Sequence, residues 1–185
     1  MKRQVTTAPV PSQTFAHFVL RVSNLQDSID WYTTVLSMKV VHQNPFLAFM
    51  TFDEEHHRLA LVQIKNDDSI TQETRLTLPG LDHVAYTIES LHDLLSIYKR
   101  LKQQDIVPVW PINHGLTTSL YYADPDGNRV EFQVENFETK EELNAFMQSE
   151  SFAANPIGVD FDPDTLLARF ENGDPIHELL QQGSA

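Results

Sequence analysis

The chain has no cysteine among its 185 residues. Disulfides, thiolate nucleophiles and cysteine-based zinc sites are thereby excluded together. Positive charge is scarce: 13 Lys and Arg stand against 26 Asp and Glu, for a net charge of −13. That balance argues against nucleic acid as a partner, because phosphate binding needs clustered cations, and it disfavours anionic membrane surfaces. No run of about 18 apolar residues exists to cross a bilayer. The N-terminal MKRQVTTAPVPSQTF has two cations but no apolar stretch behind them, so it does not read as a signal peptide. Six glycines leave little room for a phosphate-cradling loop. What remains is a soluble, cytoplasmic, acidic protein whose 41% hydrophobic content supports a core of single-domain size.

The acidity is concentrated. Residues 135–185 hold eleven acidic side chains against Lys140 and Arg169, whereas residues 1–134 are nearly balanced. A core at residues 1–136 followed by an acidic extension at 137–185 is expected. In the extension, Lys140–Met147 has helical character, and Asp162-Pro163 and Asp174-Pro175 each mark a helix start. A packing or dimerising role suits it best, with a lid over a site as the other reading.

An internal repeat organises the core. AHFVLRVSNLQDSIDWY aligns with DHVAYTIESLHDLLSIY at a constant offset of 66, so that His17 meets His83, Asp27 meets Asp93 and Tyr32 meets Tyr98. Each copy alternates like a strand, reaches a cap at Asn24 or Ser90, and then switches to helical spacing. Leu25, Ile29, Tyr32 and Leu36 form one helical stripe, and Leu91, Leu94, Leu95 and Tyr98 the other. Three strand-like runs follow each helix, at 39–42, 46–52 and 58–65, then at 106–112, 118–123 and 129–135. DPDGN at 124–128 is a turn, and a polar segment at 66–80 links the copies. The expected fold is α+β: two tandem βαβββ modules, about 15–65 and 81–135, forming a cupped mixed sheet, with a C-terminal helical extension.

Strand alternation sorts the faces. Phe18, Leu20 and Val22 share one side with Ala16, leaving His17 and Val19 on the other; Val84, Tyr86 and Ile88 likewise oppose His83 and Ala85. The apolar sides should pack on the helices, which puts both histidines on the concave face. Aligning RLALVQI with NRVEFQV at an offset of 70 pairs Glu131 with Leu61, giving four equivalent corners: His17, His83, Leu61 and Glu131. Two imidazoles and one carboxylate suit a non-haem Fe(II) or Mn(II) with open coordination positions. The bland alternative is two satisfied strand histidines and a solvent-facing glutamate.

These features resemble the vicinal oxygen chelate superfamily, and within it the catalytic domain of type I extradiol (catechol-cleaving) dioxygenases. The motifs AHFVLRV, HHRLAL, LDHVAY and NHGLTTSLYYADPDGNRVEF carry the likeness, over roughly residues 15–135 and not the extension. The resemblance implies that His17, His83 and Glu131 ligate Fe(II), with Mn(II) the alternative metal. It further implies that His57 is the acid/base near dioxygen and that Tyr121 hydrogen-bonds a substrate oxygen. His114 matches more loosely, as a polar residue beside the site. The implied substrates are an aromatic diol and dioxygen, and the implied assembly is a homo-oligomer. His57 alternates in phase with Leu59 and Leu61 and is expected to face the same cup, whereas His56 is expected at the surface. Tyr121 taken alone is equally an ordinary strand aromatic.

Rival readings remain at this level. A glyoxalase-type isomerase uses a fourth protein ligand, typically Glu, at the corner filled here by Leu61. A thiol transferase of the same superfamily needs a cationic cradle, for which only Arg21, Arg58 and Arg129 are at hand. A metal-free aromatic-ligand-binding protein of the bleomycin-resistance kind needs none of the three ligands. His42, His92 and His177 have no partner pattern. Trp110 and Phe49 are core or pocket aromatics.

Overall fold

A computed structural model describes residues 14–65 and 79–185. The N-terminal reading and nearly all of the linker segment lie outside the described residues. The chain divides into two compact units that meet in sequence between residues 66 and 67.

The first unit runs β1 (Phe18–Val22), α1 (Leu25–Leu36), β2 (Lys39–Asn44), β3 (Leu47–Thr51) and β4 (Leu59–Gln63). Its sheet has the order β1-β4-β3-β2, with β1 and β4 parallel and the other neighbours antiparallel. The second unit repeats that plan with β5 (His83–Thr87), α2 (Leu91–Lys102), β6 (Trp110–Asn113), β7 (Thr117–Ala123) and β8 (Arg129–Glu135). Here the order is β5-β8-β7-β6, extended at the β6 edge by β9 (Val159–Asp160). The α+β class and the βαβββ repeat are those read from the sequence. The strands form two separate sheets, of four and five strands.

Local chemistry explains the strand-to-helix switches. The Asn24 side chain accepts from the Gln26 and Asp27 amides, and Ser90 accepts from Asp93, satisfying donors that the first helical turn leaves open. Leu25, Ile29, Tyr32 and Val35 are buried from α1, and Leu91, Leu94, Leu95, Tyr98 and Leu101 from α2. Each helix thus covers the apolar side of its own sheet, where Leu59 and Leu61, or Leu120, Tyr122, Val130 and Phe132, are buried.

The extension is bound into the second unit. It contains α3 (Lys140–Met147), α4 (Glu150–Ala154), β9, α5 (Pro163–Glu171) and α6 (Ile176–Leu179), close to the expected helices. Leu166 and Leu179 are each only 1% exposed. Tyr98 Oη donates to Asp164 at 2.7 Å, and Lys99 Nζ lies 2.6 Å from Glu171, so basic α2 is matched to acidic α5. No described helix is long and apolar enough to cross a membrane.

One sequence alignment is corrected by strand register. In the second unit Ala85 pairs with Glu131, two positions after His83. In the first unit the position two after His17 is Val19, and it pairs with Ala60. The structural counterpart of Glu131 is therefore Ala60 and not Leu61. Leu61 pairs with Leu20 and Ala48, is fully buried, and packs on the helical side. The register corresponds to an offset of 71, which matches Arg58 with Arg129 in place of Asn128 and leaves the same two steps from each Arg to Ala60 and to Glu131.

Candidate active site

The open face of the second sheet is set by two turns. In 124–128 the Asp124 carboxylate accepts from the Asp126 and Asn128 amides at 2.9 and 2.8 Å. Gly127 supplies the positive φ of +83° that the turn requires. This locks β7 against β8 so that Tyr121 faces Glu131 directly, and β6 then sets Trp110 beside Tyr121. Residues paired in register share a face. Trp110, Tyr121 and Glu131 consequently form a row, and His83, on the same side of β5, closes it. His114 follows the end of β6, where its amide bonds Thr117 O at 2.8 Å.

Glu131 is 3% exposed, and one carboxylate oxygen, Oε2, lies 3.2 Å from His83 Nε2. The other, Oε1, lies 3.9 Å from His114 Nε2. On its far side His83 Nδ1 donates to Asp82 Oδ1 at 2.7 Å, and Arg129 pairs with the other Asp82 oxygen. Asp82 is thereby held below the usual carboxylate range, first by the His83 hydrogen bond and then by Arg129. The guanidinium of Arg129 also lies over the Trp110 and Tyr121 rings.

Tyr121 is 3% exposed, and its hydroxyl is 3.1 Å from His114 Nε2. Burial raises its pKa well above the ordinary phenol value, and the neighbouring negative charge of Glu131 raises it further. The hydroxyl therefore remains protonated and is a hydrogen-bond donor throughout the physiological range.

In the first unit His17 lies just before β1 and His57 just before β4, with ring centroids 4.2 Å apart. Phe49 also stacks on His57, at 4.4 Å and 18°. His57 is not placed by strand phase with Leu59 and Leu61, since those two leucines point to the helical side. The irregular segment at 52–58 aims the ring instead, and it joins His17 all the same. Arg58 braces this segment: it pairs with Asp53 and donates to the backbone carbonyls of Phe15 and Ala16, at 2.6 and 3.0 Å, just ahead of His17. Partial burial lowers the His57 pKa below the ordinary histidine value, helped by His17 and His56 and opposed by Glu55. His56 is exposed and reaches His57, Nδ1 to Nδ1, at 2.6 Å.

Each unit thus assembles its own share of the expected residues: His17 with His57 in the first, His83, Glu131, His114 and Tyr121 in the second. The described residues contain no group of three or more metal-ligating side chains already gathered. The second unit nevertheless holds a pair that fits a metal. Two ligand atoms at right angles on a metal with bonds of about 2.1 Å stand about 3 Å apart, close to the separation of His83 Nε2 and Glu131 Oε2. A histidine whose distal N–H is held by a carboxylate is also the usual support of a metal ligand. Sequence reasoning missed Asp82, although it adjoins His83 in LDHVAY, and left Trp110 unassigned.

The sequence pattern described as the Glyoxalase/Bleomycin resistance protein/Dioxygenase superfamily matches residues 14–132. The chain belongs to this superfamily. Two relatives come from Rhodococcus globerulus. Biphenyl-2,3-diol 1,2-dioxygenase 2 is 44% identical over 89% of this chain and 85% of its own length. Biphenyl-2,3-diol 1,2-dioxygenase 3 is 43% identical over 92% and 88%. Among solved structures, a glyoxylase/bleomycin resistance protein/dioxygenase domain from a Frankia species superposes with a TM-score of 0.53 at 22% identity, covering 67% of this chain and 98% of that one. At that identity the superposition shows the shared fold alone. Within the superfamily, the isomerase reading asks for a carboxylate at the corner that register assigns to Ala60. Alanine meets that requirement no better than leucine. The anion cradle of a thiol transferase is not supplied by Arg58 or Arg129, since each already pairs with an aspartate.

Proposed function

We propose that this superfamily member is an Fe(II)-dependent extradiol dioxygenase acting on a catechol-type aromatic diol. The observation that carries this reading is the buried Glu131 carboxylate facing His83 Nε2 at 3.2 Å, with Tyr121 and His114 on its flank. Its relatives named for a biphenyl diol, similar over most of both chains, support the same conclusion. His83 and Glu131 serve as metal ligands, and His17, the repeat-related counterpart of His83, is the third. Mn(II) is the alternative occupant of the same donor set.

When bound, the metal supplies a common centre through which diol and dioxygen exchange electrons. The remaining roles belong to the side chains. His57, kept neutral by its lowered pKa, accepts a proton from a diol hydroxyl and returns it as the ring opens. Tyr121, kept protonated, donates its hydroxyl hydrogen to a ring oxygen. Before a diol binds, His114 Nε2 holds that hydroxyl at 3.1 Å, and the hydrogen turns to the ring oxygen on binding. The carbon–carbon bond beside one hydroxyl-bearing carbon breaks, and both atoms of dioxygen enter the product, a semialdehyde or related acid. Asp82 and Arg129 fix the His83 ring throughout.

Dioxygen uptake by anaerobically Fe(II)-loaded protein, across simple and aryl-substituted catechols, tests the proposal. Stoichiometric uptake with a coloured ring-opened product, abolished in Glu131→Ala, is expected. Tight metal binding that depends on His17, His83 and Glu131 but gives no uptake on any diol overturns the dioxygenase reading. Metal binding unaffected by all three substitutions overturns the site.

A further inference from the structure

We infer that the C-terminal segment at 157–160 is a positioning element of the active site, in which the Ile157 carbonyl decides which His114 nitrogen carries the proton and the Asp160 carboxylate fixes the Trp110 indole beside Tyr121. The inference rests on the functional reading above and extends it to residues outside the family-matched region.

Gly158 fixes the path of this segment. Its φ of +118° belongs to glycine, and a Cβ built there would stand 2.4 Å from Asn113 O and 2.8 Å from His114 Cα. The segment therefore runs against the end of β6 so closely that position 158 has no room for a side chain. Asn155 holds it in that path, accepting from the Gly158 amide at 3.0 Å and donating to its carbonyl at 2.7 Å. At this closeness Ile157 O meets His114 Nδ1. A carbonyl only accepts, so Nδ1 must carry the hydrogen. In the neutral ring Nε2 is then the bare acceptor, and it is this atom that faces the Tyr121 hydroxyl at 3.1 Å. Without the carbonyl, the ring has no reason to prefer that tautomer over the reverse, in which Nε2–H would donate to the Tyr121 oxygen and the phenol hydrogen would turn elsewhere.

Two residues on, β9 pairs Asp160 with Ile112, and the Asp160 carboxylate accepts the Trp110 indole N–H at 2.9 Å. The indole then lies 4.9 Å and 33° from the Tyr121 ring and edge-on to His114 at 5.8 Å. A flat apolar wall beside the phenol that meets the substrate oxygen suits a planar aromatic ring. Trp110 therefore bears on substrate fit, and Asp160 acts through it.

The test begins with nitrogen–proton correlation spectra of the histidine rings in the full-length protein, metal-free and Zn(II)-loaded, at pH 8. The His114 signals are assigned by His114→Asn. The wild type is expected to show the Nδ1–H tautomer, and Gly158→Ala to shift His114 toward Nε2–H. Asn155→Ala provides the same readout should Gly158→Ala not fold. In turnover, Gly158→Ala is expected to lose about tenfold in kcat with unchanged metal affinity, the scale of a lost supporting contact. Asp160→Ala is expected to raise KM for an aryl-substituted catechol about fivefold, the worth of one hydrogen bond, and Asp160→Asn, which keeps an acceptor oxygen, to recover most of it. A wild-type His114 protonated on Nε2, or a tautomer unmoved in both loop variants, overturns the inference. The ring spectra need no turnover, so a protein inactive on every diol refutes the dioxygenase reading separately.

Discussion

Replacing Glu131 with glutamine separates a metal ligand from a structural carboxylate. The substitution keeps the shape and one acceptor oxygen and removes only the charge. In the metal-free protein that charge is 3% exposed and expensive to bury, so Glu131→Gln should be at least as stable as the wild type. With metal the order reverses. At a free concentration about 100 times the dissociation constant, binding stabilises the wild type by about 2.7 kcal/mol. For a chain of this size each kcal/mol moves Tm by about 2–4 °C, so the metal should raise it by about 5–10 °C. Even groups one step removed from a metal typically cost 10–100-fold in affinity when lost, so loss of a direct ligand is expected to cost at least about 100-fold. At the same metal concentration the variant's gain then shrinks to below about 2 °C. Anaerobic thermal melts with and without Fe(II), and with Co(II) as a redox-stable substitute, measure both effects. Equal metal-dependent gains in the two proteins would refute ligation by Glu131. A metal-free variant markedly less stable than the wild type would make the carboxylate a structural partner of His83 instead.

Other consequences follow from the same geometry. His57→Phe should leave metal affinity intact and lower kcat by about 10²–10⁴-fold, the usual worth of a positioned acid/base; undiminished turnover would remove His57 from the mechanism. Asp164 receives the Tyr98 hydroxyl and pairs with Lys102, which together lower its pKa from the ordinary 3.8, Lys102 contributing most. Its contribution to stability is therefore present above pH 3.8 and lost as pH falls through the lowered folded-state value. Asp164→Asn should lower Tm by no more than about 1–3 °C near neutrality, because the pair is largely exposed, and the difference should vanish in acid melts below that window. A difference that persists in strong acid would show that the loss is one of packing.

The paired modules were legible because strand alternation, caps and helical stripes all pointed the same way in both copies, and the repeat made each copy evidence for the other. Relative register was not legible. A slip of one residue turns a strand's other face outward, and RLALVQI against NRVEFQV offers two alignments that differ by one position. Matching Arg58 to Arg129 selects the one in which Ala60 answers Glu131, and only pairing to β1 and β5 decides between them. His57 shows the converse. Its strand phase pointed the wrong way, yet the loop at 52–58, held by Arg58 and Asp53, delivers the ring to His17. Pairwise periodicity says nothing about a bend of that kind. Asp82 was visible beside His83, but an acidic neighbour becomes informative only when the imidazole is seen to use both nitrogens.

The extension tests how far charge alone describes a segment. Eleven acidic residues suggested an appendage, yet several of them cap helices or answer the basic residues of α2. Asp162 accepts from the Asp164 amide, Glu142 completes a capping box with Thr139, and Glu171 and Asp164 meet Lys99 and Lys102. Exposed pairs of this kind contribute at most about 1 kcal/mol each and are screened by salt. Attachment must therefore come mainly from burial, and Leu166, 1% exposed among the pocket residues Asn113, Thr118, Phe161 and Leu179, is its centre. Leu166→Ala should cost about 2–5 kcal/mol, a drop of about 5–15 °C in Tm. Raising the salt to 1 M should move Tm far less. If salt rather than the cavity loosens the extension, read by proteolysis near residue 155, then its charges hold it and the buried leucines do not.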